Sequence, residues 1–158
     1  MNFTKLILSL FICVVIGSLS GIFVSSDVSN WYSTLIKPSF SPPIWLYTPV
    51  WTLLSIFMGL ALYQYWNKKF AEDKIRSKKT GYIFFSAVLV LHFLWALFFF
   101  KVHSPVIALI DILLVLVAIL ISLYYFIITE NKAGYLLLPM LIWLSFICYL
   151  NWNIIKLN

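Results

Sequence analysis

Charge is scarce in this chain of 158 residues: 10% are Asp, Glu, Lys or Arg, and Asp and Glu together number only five. Soluble domains carry about 25% charged residues, so the composition excludes one. Cysteine is nearly missing too. Cys13 and Cys148 both lie inside apolar runs, which excludes a disulfide scaffold. The usual catalytic sets are lacking as well. The sequence has no carboxylate pair in reach, no metal-ligand cluster, no Gly-rich phosphate loop and no Ser/His/Asp arrangement. Hydrolysis and phosphoryl transfer are therefore not expected, and neither is a required metal or cofactor.

Apolar residues make up 63% of the chain and the mean hydropathy is +1.01. Such a chain can bury enough surface to escape disorder, but it cannot clothe itself in polar side chains. It belongs in lipid. The net charge of +6 does not point to nucleic acid. Six of the eleven cations, Lys68, Lys69, Lys74, Arg76, Lys78 and Lys79, crowd one short segment between two apolar stretches. That is the form of a cytoplasmic loop, so no nucleic-acid partner is expected.

A helix needs about 20 apolar residues to cross the hydrocarbon core. Five stretches qualify, at 6–25, 44–66, 81–100, 105–129 and 134–155. They are continuous rather than alternating, which predicts helices and not barrel strands. The expected fold is all-α, a single five-helix transmembrane domain over 1–158. The first span also reads as a signal peptide, with Lys5 as its basic start and Ser18 to Ser20 as small cleavage residues. Its apolar run is long for that role, which favours a retained span. Lys5, the six clustered cations and Lys132 fall on one side, against Lys37, Lys101 and Lys156 on the other. The bias places the N-terminus in the cytoplasm and the C-terminus outside.

The connection at 26–43 is long, and it holds Trp31, Tyr32, Leu35, Ile36 and Phe40 with Pro38, Pro42 and Pro43 stiffening its second half. A loop of that kind packs as a lid or anchors aromatics at the membrane surface. Composition alone leaves both readings open.

The segment Trp31-Tyr32-Ser33-Thr34-Leu35-Ile36-Lys37-Pro38, then Pro42-Pro43 and Pro49-Val50-Trp51-Thr52-Leu53-Leu54, resembles the signature of the translocator protein family. Its members are also called tryptophan-rich sensory proteins or peripheral-type benzodiazepine receptors. The resemblance continues through Trp95, Phe98-Phe99 and Ala108 to Asp111, and ends with Pro139, Trp143, Phe146 and Leu150-Asn151. It implies a five-helix bundle in a bacterial cell membrane, paired as a homodimer, with a ligand cavity capped by the loop after the first helix. It implies porphyrins such as protoporphyrin as ligands, along with sterols and synthetic isoquinoline carboxamides or benzodiazepines. Some bacterial members are reported to degrade protoporphyrin in light. The implied roles are sensor, scavenger or carrier of porphyrins, or a light- and oxygen-dependent porphyrin-degrading enzyme.

Two positions depart from the family pattern. His92 stands where the family has asparagine, and Trp152 where its sterol motif has tyrosine. Six residues separate Tyr149 from Lys156, beyond the one to five the motif allows, so sterol recognition is not expected.

Several residues could carry the chemistry. Tyr47, Trp51, Ser55 and Met58 recur at i, i+4, i+8 and i+11 and share one helix face. Pro139, Trp143, Ile147 and Asn151 line up similarly. Two facing indoles would suit a flat tetrapyrrole, and tryptophan can give an electron to a photoexcited porphyrin. Trp51 and Trp143 are therefore the candidate catalytic residues if that photochemistry operates; the alternative is that they fill space. With the resemblance, the implied ligand-binding set is Gly21, Tyr32, Pro42, Tyr47, Trp51, Ser55, His92, Trp95, Trp143, Ile147 and Asn151. His92, on one face with Trp95 and Phe99, could ligate haem iron or hydrogen-bond a ligand or neighbour. Asp111, about 9 Å into the membrane at 1.5 Å per residue, should face the bundle and find a partner in His92 or an indole N–H. Gly17 and Gly21, spaced as in GxxxG, fit internal packing first, then dimerisation or clearance for a ligand under the lid.

Overall fold

The computed structural model describes residues 2–27, 30–69 and 75–158, and over 22–27 it describes backbone alone. Val28 and Ser29 of the lid and Lys74 of the cation cluster lie outside the described residues. The chain is all-α. Its helices are α1 (Phe3–Asp27), α2 (Trp31–Thr34), α3 (Ile44–Asn67), α4 (Ile75–Ala96), α5 (Pro105–Thr129), α6 (Asn131–Tyr135) and α7 (Leu138–Leu157). A π-helical turn at Leu97–Lys101 extends α4. Five helices are long and apolar enough to span a membrane.

Three boundaries differ from the sequence reading, each for a local reason. α4 begins at Ile75 rather than 81, so Arg76, Lys78 and Lys79 ride on the helix; Arg and Lys propagate helices well. The last span is split, with α6 a separate turn before α7, whose first turn carries Pro139. The lid contains the one-turn helix α2, which rotates Tyr32 inward to burial.

The buried positions on each helix follow the helical period. On α5 they are Ala108, Asp111, Ile112, Val115, Ala118, Ile119, Ser122 and Phe126, a stripe with small residues that lets neighbouring backbones approach. α5 packs on α4 and on α7, and α1 packs on α3 and on α4. Gly59 marks a close α1–α3 approach, since a Cβ there would sit 2.8 Å from the Leu10 Cα. Near Asn67 the bundle is filled by aromatics. Tyr65 stacks on Phe126 at 3.9 Å, Phe126 on Phe85 at 5.3 Å, and the Tyr65 hydroxyl donates to the Lys78 carbonyl at 3.2 Å.

This order leaves one weak seam. α3 packs on α6 at its Asn67 end but barely touches α7. The helices that carry Trp51 and Trp143 therefore form a cleft, closed at one end and facing the lid at the other.

Candidate functional site

Large rings, rather than backbone contact, fill the α3–α7 seam. Trp51 of α3 meets Trp143 of α7 with centroids 6.2 Å apart and planes at 86°. Tyr47 meets Trp143 at 6.1 Å. From α4, His92 lies against Trp51 at 4.2 Å and Trp95 follows at 6.4 Å. Both indoles are partly buried and meet inside the seam. They touch edge to face, however, and do not stand as parallel walls: with Tyr47 and His92 filling the same level, the cleft has no slot between the two indoles.

The cavity lies one turn nearer the lid. It is lined by Tyr32, Ile44, Tyr47, Trp95, Phe99, Phe100, Ile147, Leu150, Asn151 and Ile154. Its volume of about 20 Å³ leaves room for roughly one water. The lid roofs it. Tyr32, 4% exposed, packs on Phe99 and Phe100, with the Lys37 ammonium 4.8 Å over its ring. Burial pushes the Tyr32 phenol above its ordinary pKa, partly offset by a hydrogen bond with Tyr47. Trp31 meets Phe99 at 5.5 Å and stacks on His103 at 4.6 Å. Phe40 stacks on Tyr149 at 5.3 Å. The lid is thus pinned to α3, α4 and α7 by its own aromatics, as the packing reading of that loop requires.

The walls are apolar but not inert. Among the described residues, both ring nitrogens of His92, the indole N–H groups of Trp95 and Trp143, and both amide atoms of Asn151 are buried without a hydrogen-bond partner. A buried polar group left unpaired costs about 1–3 kcal/mol. Four such side chains around one seam are a feature that a ligand carbonyl, carboxylate or N–H would relieve.

The sequence-derived residues divide accordingly. Tyr32, Tyr47, Trp95, Ile147 and Asn151 line the cavity. Trp143 and Trp51 stand behind its wall, in ring contact with Tyr47 and Trp95 respectively, and His92 lies against Trp51. Pro42 is a half-buried lid residue off the cavity. Ser55 is buried, but against α1: a Cβ on Gly17 would collide with its hydroxyl. The helix face shared by Tyr47, Trp51 and Ser55 therefore splits, its first two residues serving the seam and Ser55 the α1–α3 contact. Gly17 serves internal packing. Gly21 is exposed, and among the described residues a Cβ on it would meet nothing within 4 Å.

Asp111 is buried, as its depth demands, yet its Oδ2 has no hydrogen-bond partner among the described residues. His92 and the Trp95 and Trp143 indoles, the partners expected for it, do not bond it. They are committed to the α3 side of the bundle, with the His92 ring on Trp51.

Sequence reasoning missed Ile44, Phe99, Phe100, Leu150 and Ile154 as wall residues. The π-helical turn explains Phe100. An α-helix turns Phe99 inward below Trp95, and the wider turn adds its neighbour to the same side.

Comparison with known proteins agrees with this architecture. The TspO/MBR family profile matches residues 9–157. A tryptophan-rich protein TspO of Archaeoglobus fulgidus is 39% identical over 158 residues, covering 100% of this chain and 99% of its own. One from Chlorobaculum tepidum is 36% identical over 147 residues, covering 93% and 91%. The human translocator protein is 32% identical over 136 residues, covering 86% and 79%. With five apolar helices, a lid on aromatic rings and a match along almost its whole length, the chain belongs to the TspO/MBR family of integral membrane proteins.

Proposed function

We propose that the protein binds porphyrins, protoporphyrin foremost, and related apolar ring compounds between α3, α4, α7 and the lid. It would act as their sensor, scavenger or carrier. One observation carries this reading: unpartnered polar atoms of His92, Trp95, Trp143 and Asn151 ring an aromatic seam under a lid. Apolar walls with a few placed polar groups are what a ligand site offers. The cavity is small, and sites for drug-sized ligands run to roughly 300–1,000 Å³. Binding therefore requires the lid to lift and the rings of the weak α3–α7 seam to part. Synthetic isoquinoline carboxamides and benzodiazepines, with their aromatic rings and carbonyls, suit the same groups. The same reading has no required cofactor, a bacterial cell membrane, a homodimer, and the Lys-rich end of the bundle in the cytoplasm.

A second reading rests on the 6.2 Å contact of Trp51 with Trp143. Two touching indoles can share the electron hole left when one reduces a photoexcited porphyrin, the opening step of light- and oxygen-dependent degradation. His92, its ring face on Trp51, enters as a hydrogen-bonding group beside that pair.

Titrating protoporphyrin into the reconstituted protein while following tryptophan fluorescence tests the first reading. Saturable quenching is expected, weakened roughly two- to tenfold in Trp51→Ala or Trp143→Ala if each ring supplies about 0.5–1.5 kcal/mol of stacking. Unsaturable quenching, or unchanged affinity in both variants, removes its basis. The second reading expects product loss in Trp51→Phe with binding retained; equal yields would mean bleaching of free porphyrin.

A further inference from the structure

The cavity under the lid can hold an apolar ring and hydrogen-bond it, but none of its lining residues carries a charge. An acid group on a ligand could not be left unpaired at that depth, where a bare carboxylate is costly. One cation stands at the roof. The Lys37 ammonium lies 4.8 Å over the ring of Tyr32, a residue that lines the cavity. Lys37 is half-buried, and its ammonium donates to the Leu35 carbonyl at 2.9 Å. That bond uses one of the three donors an ammonium carries. The backbone of Lys37 is fixed from both sides: Asn158 bonds the Ile36 N–H and carbonyl, and Pro38 follows with its locked φ. The one ion pair among the described residues, Lys68 with Glu130, lies at the other end of the bundle. Of the remaining acids, Glu72 and Asp73 belong to the connection at that same end, Asp111 lies within α5, and the side chain of Asp27 is outside the described residues.

A half-buried ammonium held on the ring that roofs an apolar cavity is a seat for the acid of an amphipathic ligand. Resting on the ring-binding reading above, we propose that Lys37 binds a carboxylate of the ligand. The site then selects aromatic rings that bear free acids, such as the propionates of a tetrapyrrole, over neutral rings of the same shape. The ring enters toward Trp95 and Asn151, and its acid edge faces the lid. The carboxylate takes the donors of Lys37 that Leu35 does not use, while the π face of Tyr32 holds the cation at the roof. Such charge-assisted bonds are roughly twice as strong as neutral ones, and partial burial reduces the screening that weakens an ion pair in water.

The full chain, purified in an uncharged detergent, is titrated with protoporphyrin and with its dimethyl ester, which has the same ring and no acid, while tryptophan fluorescence is followed. The free acid should bind about tenfold tighter than the ester, and the preference should shrink in high salt. Lys37→Gln should abolish the preference by weakening the acid alone. Lys37→Arg should keep it, and so should Lys156→Gln, which removes a cation of the α7 end seated on Trp152. Equal affinities for acid and ester in the wild type would overturn the proposal and leave ring binding intact. So would a preference that survives Lys37→Gln, or a loss in Lys37→Gln equal for both compounds, which would mean that the lysine only holds the lid. If neither compound saturates the wild type, the ring-binding reading itself falls and this inference with it.

Discussion

The side chain of Asn158 clamps the backbone of Ile36 from both sides. Its Oδ1 accepts from the Ile36 N–H and its Nδ2 donates to the Ile36 carbonyl, each at 3.0 Å. A third bond, from Nδ2 to the Ile154 carbonyl at 2.8 Å, fixes the amide to the end of α7. The lid is thus latched to the same helix that supplies Ile147, Leu150, Asn151 and Ile154 to the cavity wall.

Removing that latch should make the lid open more often. The bonds are exposed, so Asn158→Ala should cost about 1 kcal/mol at most. It should speed ligand release several-fold while leaving the ring contacts of Tyr32 intact. Hydrogen exchange at Ile36 and stopped-flow release of a fluorescent porphyrin would measure this. Unchanged exchange at Ile36 would show that the aromatics alone hold the lid.

At Gly59 the expectation concerns assembly. A Cβ there would press on the Leu10 Cα at 2.8 Å and Cδ2 at 2.9 Å, and backbone cannot yield as a side-chain tip can. Gly59→Val should therefore push α1 off α3 and destabilise the bundle by roughly 1–3 kcal/mol or more. Gly21→Val, a change of the same size at an exposed glycine of α1, should be nearly silent. Comparable losses in both would contradict the packing described for α1.

Asn151 should matter through its chemistry rather than its bulk. Replacing it by Leu removes two unpartnered polar atoms from a buried wall, which should leave the apo protein as stable or more so. Porphyrin affinity should fall about tenfold if a bond to the ligand worth roughly 1.5 kcal/mol is lost. A paired melt and titration decides it; unaltered affinity would mean that the ligand ignores this residue.

Acid should release the Lys68–Glu130 pair. The hydrogen bond and charge of Lys68 hold the Glu130 carboxyl below the usual carboxylate range. The folded pKa is thus the lower one, so the pair's contribution is complete above the unfolded value, about 4.3. It disappears as pH falls through the folded value. Because the pair sits at the surface, with the Lys68 side chain 49% exposed, solvent screens it and the effect is small. Melting curves of wild type and Glu130→Gln should differ slightly at neutral pH and coincide below about pH 3.

The spans were legible because lipid demands long apolar runs, and the lid because prolines and aromatics are unusual in a solvated linker. Registers put Trp51 and Trp143 each on one face of its own helix, and the family resemblance joined the two in one site. Their angle could not be read, since ring orientation depends on Tyr47 and His92 arriving at the same level from other directions. Ser55 was assigned to the wrong neighbour because a helical face is read as one surface, whereas α3 passes from α1 to the seam within three turns. Phe100 stayed hidden behind a turn of nonstandard width, and Asp111 has an Oδ2 without the expected partner among the described residues.

In the proposed reading, parting of the rings that fill the α3–α7 seam would open the bundle sideways to the acyl chains. A hydrophobic compound dissolved in the bilayer would then arrive there without crossing water. Occupancy would then follow the mole fraction of ligand in the membrane, and a dissociation constant stated per litre would drift with the amount of lipid in the assay.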